Sequence, residues 1–270
     1  MISTTSQNTL SSEDLLALQQ AKLKMERIGL AMQGLNKVGT LIENRIDMLP
    51  QKQQQWLQQV THKVLHTVVK SNLITMRQKR TSNSAPWNKA YKALVTSSGA
   101  VGGALGAAAF AVDLTVATKF MMRSIMDIAR SEGENLTEFD TQLACLQVFA
   151  LGGKSKHDDG LETGYYATRI ALNTAVKGAS SKLVEGMLKG SSNPLLRLIS
   201  VIASRFSVQV SEKFVAQAIP LIGAAGGAAI NLAFINHFQN MAQAHFTVRR
   251  LERKYGENLV RENYESTVLK

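Results

Sequence analysis

The sequence predicts an all-α protein, a multi-helix bundle with two Gly/Ala-rich helical hairpins. Three observations predict it. Apolar residues recur every three or four positions through almost the whole chain, and no stretch sustains the alternation of a strand. The composition, 45% hydrophobic and 19% charged over 270 residues, is that of a globular chain long enough to bury a core. With 4 Pro, 19 Gly and 1 Cys, collagen-like, proline-rich and disulfide-framed folds are excluded.

Ser11 with Asp14 forms a capping box that opens a helix. Apolar residues keep helical spacing from Leu15 to Leu49, but Gly29, Gly34 and Gly39 lie inside that stripe as break points before Pro50. A second helix runs from Gln51 to Met76 and buries Trp56, Val60, Val64 and Val68. Residues 80–88, RTSNSAPWN, read as a turn-rich connection. Thr137 with Asp140 caps a short helix carrying Leu143, Leu146 and Phe149, stopped by Gly152 and Gly153. Asp158 opens a polar helix, and Asn193-Pro194 starts another, whose stripe runs from Leu195 through Ile199, Ile202, Phe206 and Val210 to Phe214.

Two segments resemble each other. GAVGGA at 99–104 matches GAAGGA at 223–228, and GENL at 133–136 matches GENL at 256–259. Small residues let helix backbones approach closely, so each Gly/Ala stretch is expected at a tight crossing, and a duplicated hairpin would relate the halves by a pseudo-twofold axis. On that arrangement Arg123, Asp127 and Arg130 would come near His245, Arg249 and Glu252 in an interhelical ion network. Residues 99–122 and 214–236 are also the two stretches to weigh as membrane spans, which need about 20 apolar residues. Asp113 and Lys119 interrupt the first; Gln217, Pro220 and Asn231 interrupt the second. A buried or surface-inserted hairpin is the expectation.

Charge is segregated. The net charge is +11, and residues 48–112 hold eight bases and no acid. Residues 127–162 hold eight acids against three bases. A basic surface of this kind suits an anionic membrane, with Arg77, Lys79, Arg80, Lys89 and Lys92 as the candidate contacts. Aromatic residues total only 6% and no recognised nucleic-acid module is visible, so nucleic acid is not the favoured partner. The polar N-terminus shows no secretory signal pattern, and with the lone Cys145 the expected location is cytoplasmic, peripheral at the inner face of the membrane, with integral hairpin insertion as the alternative.

Candidate chemistry is sparse. His62 and His66 have one-face metal spacing, but Lys63 follows the first where a metalloprotease has Glu, and the pair reads as a solvated face. Asp158, Glu162, Tyr165, Tyr166 and Arg169 fall along one polar helix face, and His237 and His245 lie two turns apart on another helix. Asp158, Glu162, His237 and His245 are the catalytic candidates, and His237, His245 and Asp158 the candidate ligands for a divalent metal. No other cofactor is implied, and Cys145 in ACLQVFAL reads as a core thiol.

Six stretches carry a family resemblance: VGGALGAAAFAVDL, MMRSIMDIARSEGENL, LACLQVFALGG, DDGLETGYYATR, SEKFVAQAIPLIGAAGGAAIN and FINHFQNMAQAHFTVRRLERKYG. Together they resemble the bacterial EcsC family from about residue 99 to 257, whereas the first 90 residues carry no assigned motif. The resemblance divides the chain into a basic helical region at 1–92, an EcsC-like core at 93–262 and a tail at 263–270, in one continuous domain. The family is named from a protein encoded beside an ABC-transporter gene pair. The resemblance therefore implies membrane-associated support of transport, secretion or envelope processes, with an ABC transporter or envelope protein as partner. It transfers no catalytic residue. The alternative is a metal-dependent hydrolase built on the His/carboxylate candidates.

Overall fold

The backbone N–H of Asp14 donates to Ser11 Oγ at 3.2 Å, so the cap read from the sequence does open helix α1 (Ser12–Glu26). The computed structural model describes residues 9–26, 49–76, 85–102, 106–151, 165–175, 193–217 and 223–268. Among these, every regular element is helical: α2 (Gln51–Met76), α3 (Asn88–Gly102), α4 (Gly106–Ser131), α5 (Phe139–Gln147) with a 3-10 turn (Val148–Ala150), α6 (Tyr165–Ala175), α7 (Asn193–Gln217), α8 (Gly223–Tyr255) and α9 (Glu257–Ser266). The fold is an all-α bundle.

Helix α8 is the axis of the bundle. At 1.5 Å per residue its 33 residues span about 50 Å. Ile230, Phe234, Phe238, Met241, Phe246, Val248 and Leu251 are buried along it, too many for a single stripe. A helix apolar on most sides must be covered on most sides. Helix α3 lies along it most extensively, and α1, α4 and α9 cover further faces. Helix α7 packs chiefly on α2, and four phenylalanines join it to the axis. Phe206 sits 5.5 Å from Phe238 and 5.2 Å from Phe149, and Phe234 meets Phe238 edge-on. Trp56 is drawn into a similar cluster with Phe110 and Phe214.

The Gly/Ala stretches do cross tightly. A Cβ on Gly99 would meet Asn231 Nδ2 at 2.4 Å and the Gly227 carbonyl at 2.5 Å, so only glycine fits there. Contacts between Gly99 and Gly227 and between Asn88 and Gln239 run α3 antiparallel to α8. Contacts from Asp113 to Asn231 and from Ser124 to Gln239 run α4 parallel to α8. The two helices that follow the Gly/Ala stretches are therefore side by side, as the duplication requires.

The local structure of the repeat is not shared. Gly133 (φ +82°) closes α4: its N–H donates to the Arg130 carbonyl and that of Glu134 to the Ala129 carbonyl. Gly256 (φ +88°) is a one-residue joint between α8 and α9, and its GENL forms the start of a helix instead of a turn.

Other boundaries differ from expectation. Helix α5 begins at Phe139 with Glu138 at the N-cap, because Asn135 Oδ1 accepts from both the N–H and the hydroxyl of Thr137. Each candidate span is shared between two helices: α3 ends at Gly102 and α4 begins at Gly106, while α7 ends at Gln217 and α8 begins at Gly223. Among the described residues no helix is long and apolar enough to cross a membrane. Gly29, Gly34, Gly39, Gly103 and the stop at Gly152 and Gly153 lie outside the described residues.

Candidate functional site

The last three turns of α8 concentrate the polar chemistry. Arg249 bridges Glu134 (2.8 Å) and Asp140 (2.6 Å), and Arg250 reaches Glu132 (2.8 Å). Arg253 also pairs with Glu134, whose other oxygen accepts from Thr141 at 2.8 Å. Lys254 and Tyr255 each donate to Asp14 at 2.7 Å, and these bonds hold its carboxyl well below the usual carboxylate range. An interhelical network does form here, but of the expected members it holds only Arg249; its acids are Glu132, Glu134 and Asp140, beyond the end of α4, and Glu252 pairs with Arg169 instead. Asp127 instead pairs with Arg130 on its own helix, and Arg123 is exposed. The Gly133 turn aims those glutamates at α8, a geometry that helical periodicity does not reveal.

On the other side of the same turns, α6 supplies a buried relay. Arg169 grips Glu252 with two bonds of 2.6 and 3.0 Å and donates a third to the Tyr165 hydroxyl at 3.2 Å. Tyr165 Oη lies 2.8 Å from His245 Nδ1. Arg169 can only donate, so the single hydroxyl proton of Tyr165 goes to Nδ1, and His245 is neutral with its proton on Nε2. Burial holds the His245 pKa well below the ordinary value, and the charges of Arg169 and Arg249 add to the effect. Nε2 itself is buried without a hydrogen-bond partner. Tyr166 donates to Glu252 at 3.0 Å, and the Tyr264 ring packs against both tyrosines.

Residues 12–251 match the EcsC protein family. The chain belongs to this family. The match reaches back through α1 and α2, beyond the stretch whose motifs carry the resemblance. No curated protein and no solved structure matches the chain. In this EcsC chain, two of the resembling stretches, DDGLETGYYATR and the C-terminal part of FINHFQNMAQAHFTVRRLERKYG, meet in the relay through Tyr165, Tyr166, Arg169, His245 and Glu252.

A second buried polar centre sits at the glycine crossing. Asp113 Oδ2 pairs with Lys213 at 2.7 Å, and Oδ1 accepts from Asn231 (2.9 Å) and Ser98 (3.0 Å). Burial disfavours both charges. Lys213 and the hydrogen bonds nonetheless hold Asp113 below its usual pKa, whereas burial lowers that of Lys213. The rings of Phe110 and Phe234 lie 5.9 and 5.2 Å from the ammonium. Lys213 has no distinctive sequence signal; Asp113, an acid inside an apolar helix, is the visible half of the pair.

His237 and His245 are both buried on α8, and burial lowers the pKa of His237 to about 4. Neither His237 nitrogen has a partner. Asp158, Glu162, Arg77, Lys79 and Arg80 lie outside the described residues. Among the described residues, no group of three or more His, Cys, Asp or Glu side chains is arranged to hold a metal. His62 and His66 are on the α2 surface, with His62 Nε2 3.5 Å from Ser200 Oγ. Cys145 is fully buried, and burial pushes its thiol pKa up, away from reactivity. Lys89 is exposed and Lys92 half-buried.

Proposed function

We propose that this EcsC protein binds peripherally to an anionic membrane surface and supports transport, secretion or envelope processes there without catalysis of its own. One observation supports the reading: three bases of the basic stretch are presented outward. Lys52 and Lys63 on α2 and Lys89 on α3 are exposed, and neither helix contains an acid to offset them. Each base near an anionic surface contributes about 1 kcal/mol. The charged groups that are buried are, by contrast, consumed within the fold: Arg169 by Glu252, Lys213 by Asp113 and Arg249 by Glu134. The family's association with an ABC-transporter gene pair makes a membrane protein the natural partner.

Flotation with lipid vesicles tests this. Binding to anionic vesicles is expected at low salt and is expected to fall at 1 M salt, where the Debye length shrinks to about 3 Å. Replacing Arg77, Lys79 and Arg80 with Gln should weaken it. Equal binding to neutral and anionic vesicles would refute the electrostatic reading.

The rival reading, a metal-dependent hydrolase, draws on the buried imidazoles of His237 and His245 and on the carboxylates Asp158 and Glu162. What favours it is that Nε2 of His245 has no protein partner; it could ligate a metal in the other tautomer, with Nδ1–H donating to the Tyr165 hydroxyl. Metal analysis of the purified protein tests it directly: stoichiometric zinc or manganese, lost in His245→Leu, would favour the hydrolase.

A further inference from the structure

Resting on the membrane reading, we propose that the outer face of the α3–α4 hairpin is the surface that meets the anionic bilayer. Trp87 and Leu94 would enter the headgroup boundary, and Lys89, Lys119 and Arg123 would ring them. Trp87 is 71% exposed and Leu94 47% exposed. Seven residues, two helical turns, separate them, which puts them on one side of α3. Trp87 is not a frayed end, because its backbone N–H is held by Asp127 at 2.8 Å. Between and beyond them Ala90, Ala93 and Ser97 are exposed, so the outer face of α3 carries a single charge, Lys89.

Helix α4 completes the face. Ser98 bonds Asp113 at one end of the hairpin and Ser124 bonds Asn88 at the other, so the helices run antiparallel. That register brings Lys119 level with Leu94 and Arg123 level with Lys89. Both bases are exposed, and Val112 is exposed further along the same helix. The only acids on the two helices are Asp113, buried against Lys213, and Asp127, taken by Arg130 and the Trp87 N–H. The face therefore shows water three cations, an indole and aliphatic groups, with its acids turned to other partners.

That chemistry fits an interface of anionic headgroups over acyl chains, where an indole and leucine sit at the boundary and lysine and arginine reach the phosphates. A nucleic acid would use the cations but gain nothing from Leu94 and Val112. It would also find one aromatic ring where single strands stack on several.

The test uses the full chain with neutral phosphatidylcholine vesicles and with vesicles containing phosphatidylglycerol. Trp87→Ser/Leu94→Ser changes only exposed side chains and is expected to weaken anionic-vesicle binding about tenfold at moderate salt. Lys89→Gln/Lys119→Gln/Arg123→Gln is expected to weaken it roughly 100-fold at low salt, a factor of about five per base. Bromine-labelled lipid should quench tryptophan emission in the wild type, and that quenching should vanish in Trp87→Phe, which retains Trp56 inside the fold. Anionic-vesicle binding that survives the serine variant unchanged and shows no quenching would overturn this face while leaving the membrane reading intact. No flotation of the wild type with either lipid would overturn both and hand the face to a protein or nucleic-acid partner.

Discussion

The ammonium of Lys213 lies 2.7 Å from Oδ2 of Asp113, with side-chain exposures of 1% and 2%. Two charges withdrawn from water to this degree are stable only as a pair. Lys213→Met alone should destabilise the fold by about 3–5 kcal/mol, because it strands the Asp113 carboxylate. Lys213→Met with Asp113→Leu should recover most of that loss. Urea unfolding of the two single variants and the double variant measures it; a double variant as damaged as the singles would mean that the pair does more than balance charge.

Gly99→Ala places a methyl 2.4 Å from Asn231 Nδ2 and 2.5 Å from a backbone carbonyl that cannot move aside. The cost should be about 1–3 kcal/mol from overpacking. Gly256 makes the comparison informative: nothing lies within 4 Å of a Cβ there, so Gly256→Ala is strained only by its φ of +88°. A wild-type thermal midpoint for Gly99→Ala would contradict the close crossing.

His237 gives the fold a distinctive acid sensitivity. An unfolded histidine takes up its proton near pH 6.5, whereas buried His237 resists until about pH 4. Across that window the unfolded chain binds the extra proton, so stability must fall as pH falls. Between pH 7 and pH 5 His237 alone should account for roughly 2 kcal/mol, and His245, shifted the same way, adds to the loss. The paired carboxylates Asp14, Asp113 and Glu134, whose pKa values are depressed, contribute only at lower pH. His237→Leu should visibly flatten the decline in urea midpoint from pH 7 to pH 5, and an unchanged decline would count against a neutral buried imidazole.

Tyr165→Phe removes both a donor to His245 and an acceptor for Arg169, and leaves His245 with no partner for Nδ1. Its cost should be about 1–3 kcal/mol. Tyr166→Phe removes only one of the bonds to Glu252, which keeps both from Arg169, and should cost about 1 kcal/mol. Denaturant unfolding of the two variants gives the order directly. Equal losses would indicate that the hydroxyl of Tyr165 does not link the relay.

The helices were legible because their signals are local. Ser11 and Asp14 announce a start, and the spacing of Phe206, Val210 and Phe214 announces a buried stripe. The glycine crossing was legible too, since only small residues permit it. The ion network was legible in place but not in membership: Arg249 was anticipated, yet Glu132 and Glu134 reach it only because Gly133 turns the chain beyond α4. Lys213 was invisible because nothing near it in sequence marks a lysine for burial; Asp113, a hundred residues earlier, decides it. The matching GENL segments show the converse, since identical letters form a turn in one place and a helix start in the other.

Among the described residues, helix α1 is fastened chiefly by residues made long after it. Asp14 is bound by Lys254 and Tyr255, and Lys22 Nζ donates at 2.8 Å to the carbonyls of Tyr264 and Thr267. At about 5–20 residues per second, the 240 residues between Asp14 and Lys254 take the ribosome roughly 12 to 50 s. For all of that time α1 lacks α8 and α9, on which it packs, and is left open to chaperones and proteases. It emerges well before α8 and α9 and finds its place only with them.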